Sequence, residues 1–188
     1  MLDASVYTAA SDVLLVIYGA DGTVLKSGMG GGPGFRGTVP ATQDYIMHVT
    51  SNMGTGYRLN VTIPERISFE QETTSATVQG SLAAYDTHHY VLQAMAGQEL
   101  IVGVSAPGDA VRLVIYGVDG TVLRSGMAAG VSFSGRLPST QDYLINLTAD
   151  IAVPNYSMTV TIPAVGASSK ATTPGTASGG TNLLGSRR

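Results

Sequence analysis

VLLVIYGADGTVLKSGMGGGPGFRGTVPATQDY, residues 13–45, returns as VRLVIYGVDGTVLRSGMAAGVSFSGRLPSTQDY, residues 111–143. About two-thirds of the aligned positions are identical, and no gap is needed. Outward from this pair the match continues. Ile17-Tyr18-Gly19 recurs 98 residues later as Ile115-Tyr116-Gly117, and Ile63-Pro64 recurs 99 residues later as Ile162-Pro163. A period of roughly one hundred residues is too long for a solenoid unit and matches a whole small domain. The copies are unequal. Residues 66–97 lead into the second copy, and their counterpart in the first would lie before Met1. The division this predicts is an incomplete unit over 1–64, a complete unit over 66–163 and a tail over 164–188.

Within each copy, apolar residues alternate with period two and β-branched residues dominate, the pattern of half-buried strands. Strands are predicted over 13–18, 23–26, 45–50 and 57–63, with counterparts over 111–116, 121–124, 143–148 and 156–162. Short strands are expected near Phe35 and Phe133, and Met1 runs straight into another. Ala20-Asp21-Gly22 and Asp119-Gly120 read as tight turns, because Asp-Gly readily supplies positive φ angles. Pro64 and Pro163 end the last strand of each copy, since proline donates nothing to a ladder. The second copy opens with two further strands, over 75–83 and 89–96, before Ala96-Gly97-Gln98 turns into one over 99–105. Seven to eight short strands in about a hundred residues, with no sustained helical stripe, predict an antiparallel sandwich. The expected fold is all-β: two tandem antiparallel jelly-roll-like β-sandwich units. The Ser-, Thr-, Gly- and Pro-rich run over 167–180 reads as a flexible tail or linker.

Composition narrows the function classes. With 44% hydrophobic and 12% charged residues among 188, the chain can bury real cores and is not of disordered type. A net charge of -3 with scattered Lys and Arg gives no electrostatic reason to expect nucleic acid. Cysteine is absent, which removes disulfides, thiolate metal sites and a cysteine nucleophile, and leaves the compartment undecided. No apolar run approaches the roughly 20 residues of a membrane-spanning helix. No basic and apolar leader precedes the first strand, which for a secreted type of domain points to a mature or trimmed chain.

Gly80-Ser81-Leu82, Tyr90-Val91-Leu92 and Ala96-Gly97-Gln98-Glu99-Leu100 open a longer pattern. It continues through Leu113-Val114-Ile115-Tyr116, Asp119-Gly120, Leu137-Pro138 and Asp142-Tyr143-Leu144-Ile145, and closes on Tyr156-Ser157-Met158-Thr159-Val160. In these residues the second copy resembles the bacterial pre-peptidase C-terminal domain family, a jelly-roll-like β-sandwich appended to secreted proteins. The resemblance spans nearly all of 66–163 and the later part of the same pattern in 1–64. The matching positions are turn glycines, core aliphatics and strand tyrosines, so they speak to the fold first. The resemblance implies a non-catalytic accessory that binds, tethers or is trimmed away. Related collagen-binding sandwiches hold calcium with acidic residues at the start of the domain. Glu70 and Glu72 alternate onto one strand face there, with Asp86 nearby in sequence, and would suit a hard cation, but no metal site is assigned to them. Thr73-Thr74-Ser75 stands where that pattern would continue with Asn-Asp.

Other chemistry-bearing residues read as structural. His88 and His89 are adjacent, so on a strand they face opposite ways and do not form one site. His48 is the remaining histidine, and no spacing suggests a zinc site. There is no Gly-x-Ser-x-Gly elbow. GMGGGPG at 28–34 lacks the Lys-Ser/Thr ending of a phosphate loop, and no helix follows it. LPSTQ at 137–141 occupies the same place as VPATQ at 39–43, a turn rather than a sorting signal. The sequons at Asn60, Asn146 and Asn155 are short enough to arise by chance. Tryptophan is absent, which weakens a sugar-stacking platform. No catalytic, cofactor-binding or metal residue is therefore assigned, and no cofactor is expected.

The first copy has no counterpart of the two strands over 75–96, so it should expose apolar core and an unpaired strand edge. The chain is then a fragment of a longer array, or is completed by strands from another chain, or is a rebuilt smaller sandwich. The expected function is non-catalytic: binding, adhesion or cell-surface structure outside the cell, with the loops at 28–34 and 126–131 as contact surfaces. The alternatives are a filament or coat subunit completed by strand exchange between subunits, and an accessory module of a secreted hydrolase. The expected partner is the protein itself or an extracellular polymer or protein, without nucleic acid or a membrane span.

Overall fold

The computed structural model describes residues 1–28, 32–108, 110–127 and 130–164. Most of the tail expected over 164–188, and parts of the loops at 28–34 and 126–131, lie outside the described residues. The described residues form strands and no helix. In the first copy these are β1 (Leu2–Thr8), β2 (Leu14–Gly19), β3 (Val24–Lys26), β4 (Gly34–Gly37), β5 (Tyr45–Thr50) and β6 (Tyr57–Thr62). They make two antiparallel sheets, ordered β4-β1-β6 and β3-β2-β5.

The chain continues through β7 (Glu65–Arg66), β8 (Ser75–Leu82), β9 (Thr87–Ala94), β10 (Glu99–Ser105), β11 (Val111–Gly117) and β12 (Val122–Arg124). It ends with β13 (Ser132–Arg136), β14 (Gln141–Ala149) and β15 (Val153–Thr161). Their sheets are ordered β13-β10-β15-β8 and β12-β11-β14-β9-β7. The second pair of sheets thus repeats the first, with β8 added beside β15 and β9 added beside β14. β8 and β9 lie in opposite sheets, so together they form an arch over one side of the sandwich rather than a hairpin.

Each pair of sheets packs around its own apolar cluster. Leu2, Ala4 and Val6 of β1 face Leu15 and Ile17 of β2. In the second copy Leu100 and Val102 face Leu113 and Ile115, and Leu92, Tyr143, Ile145, Met158 and Val160 join them. Alternating burial along β10 and β11 follows from the two-residue period of a strand.

The repeated motif maps onto a repeated turn. Asp21 Oδ1 accepts from the Thr23 amide at 2.9 Å and Gln43 Oε1 accepts from the Asp21 amide at 3.0 Å. Asp119 and Gln141 do the same for Thr121 and Asp119, at 2.9 and 3.1 Å. Gly22 and Gly120 have φ of 85° and 87°, a region that favours glycine. The Thr23 and Thr121 amides, donating to the carboxylates, hold Asp21 and Asp119 below the usual carboxylate range. After each turn glutamine, a tyrosine pins the preceding corner: Tyr45 donates to the Ala41 carbonyl at 2.8 Å and Tyr143 to that of Ser139 at 2.7 Å.

Three features depart from the expected strands. β9 spans Thr87–Ala94 rather than 89–96. β15 begins at Val153 rather than 156 and carries Pro154 where the ladder to β8 shifts register, which spares the missing donor. Residues just past Pro64 form β7, parallel to β9, in a stretch too short to show periodicity.

The same core position is closed in one copy and half open in the other. Met158→Ala, at a fully buried site, should cost about 2–5 kcal/mol. Leu59→Ala, its half-buried counterpart, should cost about half of that or less, because water already reaches the side chain. Urea unfolding read by hydrogen exchange in each copy measures both, and equal losses would contradict this account.

Candidate functional site

Strand registers show which side chains of the first copy point inward. β6 sets Val61 opposite Ala4, Leu59 opposite Val6 and Tyr57 opposite Thr8, so all three lie on the core face. β5 sets Met47 opposite Ile17 and Val49 opposite Leu15, also on the core face. Yet Val61 is 45% exposed and Tyr57 56%, whereas Val160 and Tyr156 at the matching positions are 0% and 3% exposed. Met47 and Val49 are half-buried, whereas Ile145 and Leu147 are fully buried.

The difference is the arch. β8 pairs with β15 and sets Ala76 opposite Val160, Val78 opposite Met158 and Gly80 opposite Tyr156. β9 pairs with β14 and sets Tyr90 opposite Ile145 and Leu92 opposite Tyr143. Among the described residues, no strand pairs with the outer edge of β5 or of β6. That side of the first sandwich presents two unpaired edges with apolar core between them, the arrangement that accepts added strands.

At one end of the closed sandwich, a buried tyrosine pair marks what the arch contributes. The Tyr90 and Tyr156 hydroxyls are hydrogen-bonded to each other. His88 Nδ1 lies 2.7 Å from the Tyr156 hydroxyl, and the Asp86 carboxylate is 3.8 Å from His88 Nε2. Burial pushes both phenols above the ordinary tyrosine value. The hydroxyl pair bridges β9 and β15 and so ties the two sheets of the second sandwich together at this point.

The outer face of the five-stranded sheet carries a second contact. Asp142, Leu144 and Asn146 alternate with the core residues Tyr143 and Ile145, and Tyr116 sits beside Leu144 on the same face. Asp142 is 8% exposed. Its carboxylate accepts from Thr38 Oγ1 of the first copy at 3.1 Å and from both terminal nitrogens of Arg66 at 3.4 and 3.3 Å. The Arg36 guanidinium stands 4.8 Å above the Tyr116 ring, a cation–π distance. Val91 and Leu144, paired across their strands, are buried on this face. Nothing in the repeat motif announces this contact. Asp44 occupies the matching position in the first copy and is exposed.

Glu70, Glu72 and Asp86 do not come together. Glu70 and Glu72 lie in a turn rather than on a strand face: the Thr73 amide donates to the Glu70 carbonyl at 3.0 Å, and Glu72 has φ of 65°. Asp86 lies beyond the far end of β8, about 25 Å away along an eight-residue strand. No group of three or more His, Asp or Glu among the described residues could hold a metal ion. His88 and His89 point to opposite faces, His88 to Tyr156 and His89 to Asn146 Oδ1 at 3.0 Å. His48 Nε2 lies 2.9 Å from the Tyr18 hydroxyl on the outer face of the first copy.

No protein-family model and no curated protein matches the chain. Among solved structures, it is similar to the Aeromonas hydrophila PliG, a periplasmic inhibitor of g-type lysozyme, at 25% identity and TM-score 0.45 over 53% of this chain and 96% of that one. The Salmonella Typhimurium PliG matches at 22% identity and TM-score 0.42, over 54% of this chain and 100% of that one. The pre-peptidase C-terminal domain of a Bacillus anthracis collagenase matches at 16% identity and TM-score 0.42, over 53% of this chain and 95% of that one. No helix among the described residues is long and apolar enough to cross a membrane, which says nothing of β-barrels.

The tyrosine pair gives the closed sandwich a pH dependence. Folding raises the Tyr90 value above the unfolded one of about 10, so this contribution is fully present below about pH 10 and lost as pH rises beyond it. Urea midpoints should fall between about pH 8 and about pH 10.5 by more in the wild type than in Tyr90→Phe. Identical declines in both would show that the pair is not the cause.

Proposed function

We propose that this chain is a non-catalytic binding module acting outside the cytoplasm, and that it engages a protein partner by strand addition on the open side of its first sandwich. One observation carries the reading: Tyr57 and Val61 point inward yet are half exposed, beside two unpaired strand edges, while their counterparts in the second copy are buried. A partner strand hydrogen-bonded to β5 or β6 would satisfy the edge amides and remove these side chains from water. Full burial of a valine-sized side chain contributes about 1.5–3 kcal/mol. Main-chain pairing would supply affinity and the alternate side chains specificity. The extracellular setting rests on the resemblance of residues such as Gly80-Ser81-Leu82 and Asp142-Tyr143 to pre-peptidase C-terminal domains, which are appended to secreted proteins.

A displayed library of random peptides, selected on the full chain, tests the site. Selected sequences should alternate apolar and polar residues. Fluorescence polarisation should show at least about a tenfold weaker affinity for Val61→Lys and for Tyr57→Lys, equivalent to about 1.4 kcal/mol. Thr159→Lys, on the exposed face of the second sandwich, should leave affinity unchanged. Selected peptides that bind both open-side variants as tightly as the wild type would sink the reading.

A further inference from the structure

The molecule contains a template for what fills the open side. We propose that the first sandwich receives a two-strand arch of the β8–β9 kind from a polypeptide segment outside residues 1–188, one strand joining β6 and the other β5; this rests on the strand-binding reading above. A single strand would cover one edge and leave the core open along the other. The exposed and half-buried inward residues lie on both: Tyr57, Leu59 and Val61 on β6, Met47 and Val49 on β5.

The second copy specifies the occupant position by position. Its β15 is the counterpart of β6, and there Val160 meets Ala76, Met158 meets Val78 and Tyr156 meets Gly80. An ideal Cβ on Gly80 would come within 2.8 Å of the Tyr156 hydroxyl oxygen and 3.0 Å of its ring, so the tyrosine requires glycine opposite. Tyr57 holds the same tyrosine in the first copy. The first strand of that segment should therefore carry a small residue opposite Val61, a branched one opposite Leu59 and glycine opposite Tyr57. Its second strand, lying along β5, should place a large aromatic residue opposite Met47 and an aliphatic one opposite Tyr45, as Tyr90 and Leu92 stand opposite Ile145 and Tyr143. An aromatic hydroxyl at the first of these positions would reach the otherwise exposed Tyr57, as Tyr90 reaches Tyr156. A second copy meeting this side edge to edge would set β6 against β6, whose inward positions carry Tyr57, Leu59 and Val61 and no glycine.

The test uses the full chain and a labelled synthetic peptide of residues 74–98, which carries the arch. Binding is read by polarisation, and hydrogen exchange reports which strands are covered. The expected result is at least tenfold slower exchange in both β5 and β6, with affinity lowered at least tenfold by Gly80→Ala in the peptide or by Val61→Lys in the chain. A second version tethers residues 66–98 ahead of Met1, so that poor behaviour of the free peptide does not decide the matter. If neither free nor tethered arch protects both strands, the proposal is overturned. Protection confined to β14 and β15, which would mean exchange into the second copy, overturns it as well. So does a dimer of the chain alone that Val61→Lys dissolves, since a second copy's edge is then the occupant. Library-selected single strands that bind while the arch does not would leave the strand-binding reading standing and remove only this one.

Discussion

The second sandwich is closed by one strand pairing in each sheet: β8 along β15 and β9 along β14. Backbone hydrogen bonds in these ladders fix the register, and the register decides which side chains face the core. Tyr90, Leu92, Ala76 and Val78 then complete a layer that already contains Tyr143, Ile145, Met158 and Val160. Where those two strands are missing, the same sequence motif folds into the same three-on-three arrangement but leaves its layer unfinished. The contrast isolates the arch from everything else in the repeat. Turn, tyrosine corner and central strands form in both copies, whereas a closed core forms in one.

Much of this was legible in the residues. The Asp-Gly turns, the proline stops, the β5 and β10 boundaries and the shortfall of the first copy all follow from local rules, since each depends on residues close in sequence. What escaped depends on tertiary placement. Two residues of β7 show no period, and only the neighbouring edge of β9 makes them a strand. Glu70 and Glu72 alternate as strand residues would, but Thr73 folds back on Glu70 and turns the segment before β8 begins. Pro154 sits within β15 because the ladder is already irregular there.

The site was half legible. Counting strands showed that an edge should be unpaired, but not that one would open in each sheet or which side chains would stand there. That required the registers, which bring Tyr57 and Val61 to the core face. The contact between the copies left no trace in the motif, because Asp44 and Asp142 are identical residues in identical local settings. Only Asp142 meets Thr38 and Arg66 and is withdrawn from water. The corresponding face around Asp44 and Tyr18 carries the Tyr18–His48 contact.

The link between the copies has a mechanical consequence. Residues 63–66 do not behave as a leash: Pro64 restricts the backbone, Glu65 and Arg66 are hydrogen-bonded into the sheet of the next sandwich, and Arg66 also grips Asp142. A tension applied through the chain therefore reaches the second sandwich as a shear along the β7–β9 ladder before any slack is drawn out. The open side is carried on a stiff mount, held at a set bearing to the second sandwich. Whatever docks there meets a surface already aimed, and loses little further orientational freedom of the host in binding.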